Sequence, residues 1–120
     1  MHIEELRDFC LQLPAATEGM PFGPTTLVFK VANKVFLLVG LDQDDDLCFN
    51  VKCDPEYAIA LREQYEHTVL PGYHMNKKHW NTVYANRQIA DETLQQFIVD
   101  SYNLVFHALP KLSREAIQNQ

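Results

Sequence analysis

At 120 residues, 47% of them apolar and 22% charged, the chain has the size and composition of one domain with one ordinary core. Four glycines and six prolines exclude a linker or low-complexity chain. The 10 basic and 16 acidic residues give a net charge of −6, which excludes a protein coated in positive charge for nucleic acid.

The N-terminal MHIEELRDFC carries acids where a targeting peptide needs bases. The longest apolar run, 35–41, is far short of the ~20 residues that span a bilayer. A cytoplasmic protein without a membrane segment is therefore expected. Cys10, Cys48 and Cys53 are odd in number and too few for a disulfide framework, so they read as free, core-associated thiols.

In chain order, Ile3, Leu6, Phe9, Cys10 and Leu13 recur at helical spacing, predicting a helix over 3–13 that Pro14 stops. The Pro/Gly-rich segment 14–25 reads as a loop anchored by Met20 and Phe22. Leu27, Phe29 and Val31 alternate with Thr26, Val28 and Lys30, which is strand period. Ala32-Asn33 makes a tight turn into a second strand over 34–40. The acidic run 42–46 is a polar hairpin tip, since a calcium loop would require Gly and Glu where Leu47 and Cys53 stand.

Leu47, Phe49 and Val51 form the inward face of a third strand. Asp54-Pro55-Glu56 then starts a helix running to about Gln64. Segments 68–70 and 80–85 favour strand, joined by a projection in which Pro71-Gly72 suits a type II turn with Gly at positive φ. Asp91 is placed to cap a long helix whose buried face is Leu94, Phe97, Ile98, Ser101, Tyr102, Val105, Phe106 and Leu109. Residues 113–118 add one or two helical turns. The order α-β-β-β-α-β-β-α predicts a two-layer α+β domain over 1–120, a mainly antiparallel sheet with helices on one face.

No nucleophile elbow or phosphate-cradling glycine loop is present, so catalysis is not expected. His67, His74 and His79 lack the paired spacing and partners of a metal site, and no cofactor is implied. Residues 67–90 differ from the rest of the chain. They hold Lys77, Lys78 and Arg87, no acid, three histidines and the aromatics Tyr73, Trp80 and Tyr84. This segment is +3, leaving 7 bases against 16 acids, or −9, elsewhere. Its lysines suit phosphate, and Asn76, Tyr73 and the histidines suit hydrogen bonding or stacking. The same composition also suits a structural loop with solvated lysines, Trp80 and Tyr84 belonging to the core.

The block Pro71-Gly-Tyr-His-Met-Asn-Lys-Lys-His-Trp80, followed by Asn81-Thr-Val83, resembles the MmcQ/YjbR family of small bacterial proteins. Supporting stretches are Leu13-Pro-Ala-Ala-Thr-Glu18, Pro21-Phe-Gly23, Val28-Phe-Lys-Val31, Val51-Lys-Cys-Asp-Pro55, Leu61-Arg62 and Ser101-Tyr-Asn-Leu-Val105. The resemblance implies an α+β fold shared with type III secretion chaperones and a "double wing" DNA-binding role. It makes Lys52, Lys77, Lys78 and Arg87 the phosphate contacts, with Tyr73, His74, Asn76 and His79 as polar or stacking neighbours. The charge arithmetic makes such binding weak and salt-sensitive, by a protein expected to be a monomer. The alternative is a chaperone-like module holding a partner segment, motivated by Val28, Phe36 and Leu38 wherever strand alternation leaves them on an uncovered sheet face. A small anionic ligand or an enzyme activity at the 74–80 loop is a weaker third reading.

Overall fold

The computed structural model describes residues 1–42, 46–72 and 75–120. The elements are α1 (Ile3–Gln12), β1 (Ala16–Gly19), β2 (Thr26–Val31), β3 (Lys34–Gly40), β4 (Cys48–Lys52), α2 (Pro55–Gln64), β5 (Val69–Pro71), β6 (Trp80–Tyr84), α3 (Asp91–His107) and α4 (Lys111–Gln118). The strands form one sheet in the order β1-β2-β3-β4-β6-β5, every neighbouring pair antiparallel. The expected α+β class holds, with one strand and one full helix added.

The added strand, β1, lies in the segment read as loop. Ala16–Gly19 has no apolar alternation to announce it. It forms by pairing with β2 from Ala16↔Val31 to Gly19↔Val28. Arg7 of α1 then grips it, its guanidinium donating to Glu18 through Nε at 2.7 Å and NH2 at 2.6 Å. That two-pronged bond holds the Glu18 carboxyl below its usual range.

The helices pack on one face of the sheet. Leu6 and Cys10 of α1, Ala58 and Leu61 of α2, and the apolar stripe of α3 join Leu27, Phe29, Leu37, Phe49, Val51 and Val83 in a single buried cluster. The α3 stripe is the one its spacing predicts, Leu94 to Leu109, all buried. Asp54 caps α2 as expected, accepting from the Tyr57 N–H at 3.3 Å. Asp91 does not cap α3. Ala90 is the N-cap, without a side-chain bond, and Asp91 stands in the first turn, where its charge favours the helix dipole.

A β-bulge decides which apolar residues reach the core. Pairing passes from Phe29↔Leu37 to Lys30↔Val35, so Phe36 is an extra residue on β3. Strict alternation would send Phe36 and Leu37 to opposite faces, and the bulge turns both inward. Phe36 is fully buried, edge-on to Tyr102 at 5.4 Å between ring centroids. It therefore cannot belong to an uncovered face. The β3–β4 pairing ends beside the bulge at Leu37↔Val51. There the buried Ser101 hydroxyl spans the next step, accepting from Lys52 N at 2.8 Å and donating to the Phe36 carbonyl at 2.6 Å.

The two tight connections differ in kind. Ala32 and Asn33 have φ of 48° and 65°, the paired left-handed residues of a type I′ hairpin turn. Gly72 is not at positive φ, contrary to the type II expectation. It is glycine because a Cβ there would stand 2.9 Å from Trp80 Cβ, 3.0 Å from the Trp80 carbonyl and 3.1 Å from Met75 Cβ.

Three substitutions test this architecture. Ser101→Ala leaves two buried backbone groups without their bridge and is expected to lower stability by about 1–3 kcal/mol in urea unfolding. Ala32→Gly relieves a left-handed alanine and is expected to raise stability by about 1 kcal/mol, a gain of roughly 4 °C in Tm. Gly72→Ala forces Trp80 or Met75 to move, costing about 1–3 kcal/mol and shifting the emission of the single tryptophan.

Candidate nucleic-acid interface

The sheet face opposite the helices is read row by row from the strand pairings. One continuous row is Gly19, Val28, Leu38, Asn50, Thr82 and Leu70. The next row outward carries Lys30 opposite Val35 and Lys52 opposite Trp80. The row on the other side carries Cys48 opposite Tyr84. Of the three apolar residues that motivated a partner-binding face, Val28 is fully buried and Phe36 lies on the helix side. Only Leu38 is partly exposed there.

The register divides the predicted basic residues into two groups. Lys52, paired with Trp80, stands at the end of the sheet from which the 75–79 turn projects. Lys77 and Lys78 are exposed on that turn, and Asn76 Oδ1 accepts the Lys78 N–H at 3.0 Å. His79, half-buried, ties the turn to the end of β4, its carbonyl accepting from Cys53 N at 2.7 Å. Arg87 belongs to the opposite end, beyond Tyr84. Its guanidinium lies over the Tyr84 ring at 3.8 Å, pairs with Asp46 at 2.7 Å and donates to the His67 carbonyl. A charge so engaged is a structural tie. Tyr73 and His74 lie outside the described residues.

Two residues that sequence reasoning left without a role complete the site. Arg62 of α2 reaches under the turn, donating through Nε to the buried Asn81 Oδ1 at 2.7 Å and through NH2 to the Lys77 and Trp80 carbonyls. The turn's carbonyls are thereby drawn toward α2 while its lysine side chains stay exposed. Lys30 lies on the same face as Lys52, two strands away across β3, beyond the point where the β3–β4 pairing ends. The alternation of Leu27, Phe29 and Val31 carried the signal for Lys30. Nothing local in the sequence pointed from Arg62 to a loop fifteen residues downstream.

A groove of about 660 Å³ runs along this face, lined by Phe22, Thr25, Thr26, Val35, Leu38, Val39, Gly40, Asp42, Asn50 and Met75. Phe22, 68% exposed, stands at its rim. A second cleft of about 540 Å³ lies between α2 and α3, lined by Cys53, Asp54, Tyr57 and Asp100 among others. The Cys53 thiol is pushed up to about 11, chiefly by burial, and that of Cys10 to about 12 by the same cause. Neither is a ready nucleophile. No group of three metal-ligating side chains occurs among the described residues, nor any helix long and apolar enough to cross a membrane.

Comparison with known proteins follows the same lines. The YjbR family model matches residues 11–104. The chain is 36% identical over 115 residues to the uncharacterized protein YbdF of Escherichia coli O157:H7, covering 96% of this chain and 93% of that one. It is 29% identical to the uncharacterized protein YjbR of Escherichia coli K12, covering 98% of each. Among solved structures it resembles the DUF419-domain protein DR2400 of Deinococcus radiodurans, with a TM-score of 0.90 and 36% identity over 96% of this chain and 86% of the other. It also resembles a Pseudomonas syringae protein, with a TM-score of 0.74 and 25% identity over 88% and 99% of the two chains. With its open antiparallel sheet and helices on one face, the chain belongs to the YjbR family.

Proposed function

We propose that this protein binds DNA weakly and without catalysis, through phosphate contacts from Lys52, Lys77 and Lys78. The observation that carries this reading is the Lys52↔Trp80 pairing. It sets a strand lysine at the base of the turn that bears the other two, while Arg62 keeps that turn fixed from below. Three ammonium groups on a preformed corner meet phosphates without first paying to order a loop. Asn76 and His79 flank the corner, and Arg87 is left out because Asp46 already neutralises it. The remaining acidic surface limits affinity and confines contact to this corner.

A partner protein segment on the groove is the second reading, favoured by the exposed Phe22 ring at the rim. It is the weaker one, because Val28 and Phe36 no longer contribute to that surface.

Titration of a labelled duplex at two salt concentrations tests the first reading. Three phosphate contacts give a log K against log salt slope of about −3, and Lys77→Ala/Lys78→Ala is expected to flatten it to about −1. The double variant is also expected to bind about tenfold or more weakly at low salt. Undetectable duplex binding at low salt, or an unchanged slope in the double variant, overturns the proposal.

A further inference from the structure

We infer that the groove on the open sheet face takes single-stranded nucleic acid, with unpaired bases on the face and phosphates on the lysine row. This rests on the DNA-binding reading and narrows it to the unpaired form. The first ground is shape. A volume of about 660 Å³ is that of an ordinary small-ligand cleft. It admits planar groups one or two at a time. Bases stacked inside a duplex offer only their edges and cannot enter it.

The second ground is the lining. Phe22 stands 68% exposed at one wall and the Met75 side chain forms another. Trp80 adjoins the Met75 wall, since the two Cβ atoms lie 2.9 and 3.1 Å from the same point, the Cβ position of Gly72. One aromatic ring, Phe22, and a methionine beside an apolar floor of Val35 and Leu38 are surfaces on which a base can stack, whatever the base. Asn50 on that floor has its amide oriented by Thr82, whose Oγ1 donates to Asn50 Oδ1 at 2.5 Å. A fixed amide can meet the edge of an unpaired base.

The third ground is charge. Lys30 and Lys52 flank one end of the groove on the same face, and Lys77 and Lys78 extend that end outward. Asp42 lines the other end, and beyond it Asp46 neutralises Arg87. The phosphate backbone must therefore cross the lysine end, with the bases directed inward along the groove.

Trp80 is the only tryptophan and adjoins Met75 of the lining, so its emission reports on that wall of the groove. The full chain is titrated at low salt with an oligothymidylate of about 12 nucleotides and with a duplex of the same length. The expected result is quenching of Trp80 by the single strand and an affinity at least tenfold above that for the duplex. Phe22→Ala, at a solvent-exposed rim, is expected to cost the single strand about tenfold and leave duplex binding unchanged. Lys30→Ala is expected to reduce the single-strand salt slope by about 0.7.

Equal or tighter duplex binding overturns the inference, as does single-strand binding that neither quenches Trp80 nor responds to Phe22→Ala. In either case the DNA-binding proposal stands if Lys77→Ala/Lys78→Ala still weakens the duplex. Binding of neither nucleic acid overturns both, and quenching by an apolar acidic peptide alone would then assign the face to a protein partner.

Discussion

One hydroxyl holds together the irregular part of this sheet. At Phe36 the β2–β3 register shifts and the β3–β4 pairing ends, and Ser101 Oγ bridges β3 and β4 where the ladder stops. It comes from the middle of α3, so the same side chain fixes the height of the long helix above the sheet. Because the bulge resets alternation, it determines that Phe36 and Leu37 both fill the core and that Val35 and Leu38 face outward. Ser101 also anchors the backbone of Lys52, the strand lysine of the candidate site. A serine at that position of an otherwise apolar helical stripe is thus a polar group with both of its bonds accounted for.

The site is built on a second tie of the same kind, from the other helix layer. Arg62 satisfies the Lys77 carbonyl of the 75–79 turn, the Trp80 carbonyl and the buried Asn81 amide together, joining α2, β6 and the turn. A guanidinium suits this because its donors lie in one plane and reach several acceptors at once. The lysines then sit on a base that other residues hold in place. The side chain that holds the turn is thus distinct from the lysines exposed on it, so the lysines can be altered with little effect on the fold.

What was legible in the sequence follows the physics of each element. The α3 stripe, the β2–β3 hairpin with its Ala32-Asn33 turn and the Asp54-Pro55 start of α2 depend on local periodicity and local backbone chemistry, and all three are found. The strand β1 was not legible, because Ala-Thr-Glu-Gly is a strand only through β2 and the Arg7–Glu18 pair. The inward turn of Phe36 was hidden for a related reason, since a bulge is a property of two strands and not of one. Pro71-Gly72 is not the expected turn: Pro71 ends β5 and Gly72 N still donates to the Trp80 carbonyl at 2.9 Å. Its glycine answers a close approach by Trp80, and such approaches leave no periodic trace. Charge alone marks Lys77, Lys78 and Arg87 as candidates and the resemblance adds Lys52, but only the register and the Asp46 pair set Arg87 apart from the three lysines.

The outer strands of the sheet carry a consequence for how anything approaches it. At one margin β5 is three residues long and ends in Pro71, which has no N–H to offer. At the other, β1 is four residues long, with the Arg7–Glu18 pair beside it. An incoming strand would find too short a ladder at either margin to register on, which is how sheets resist growing into fibres. Self-association by strand addition is therefore disfavoured at both ends. The broad face between those margins, and not its edges, is the part of the sheet left open to contact.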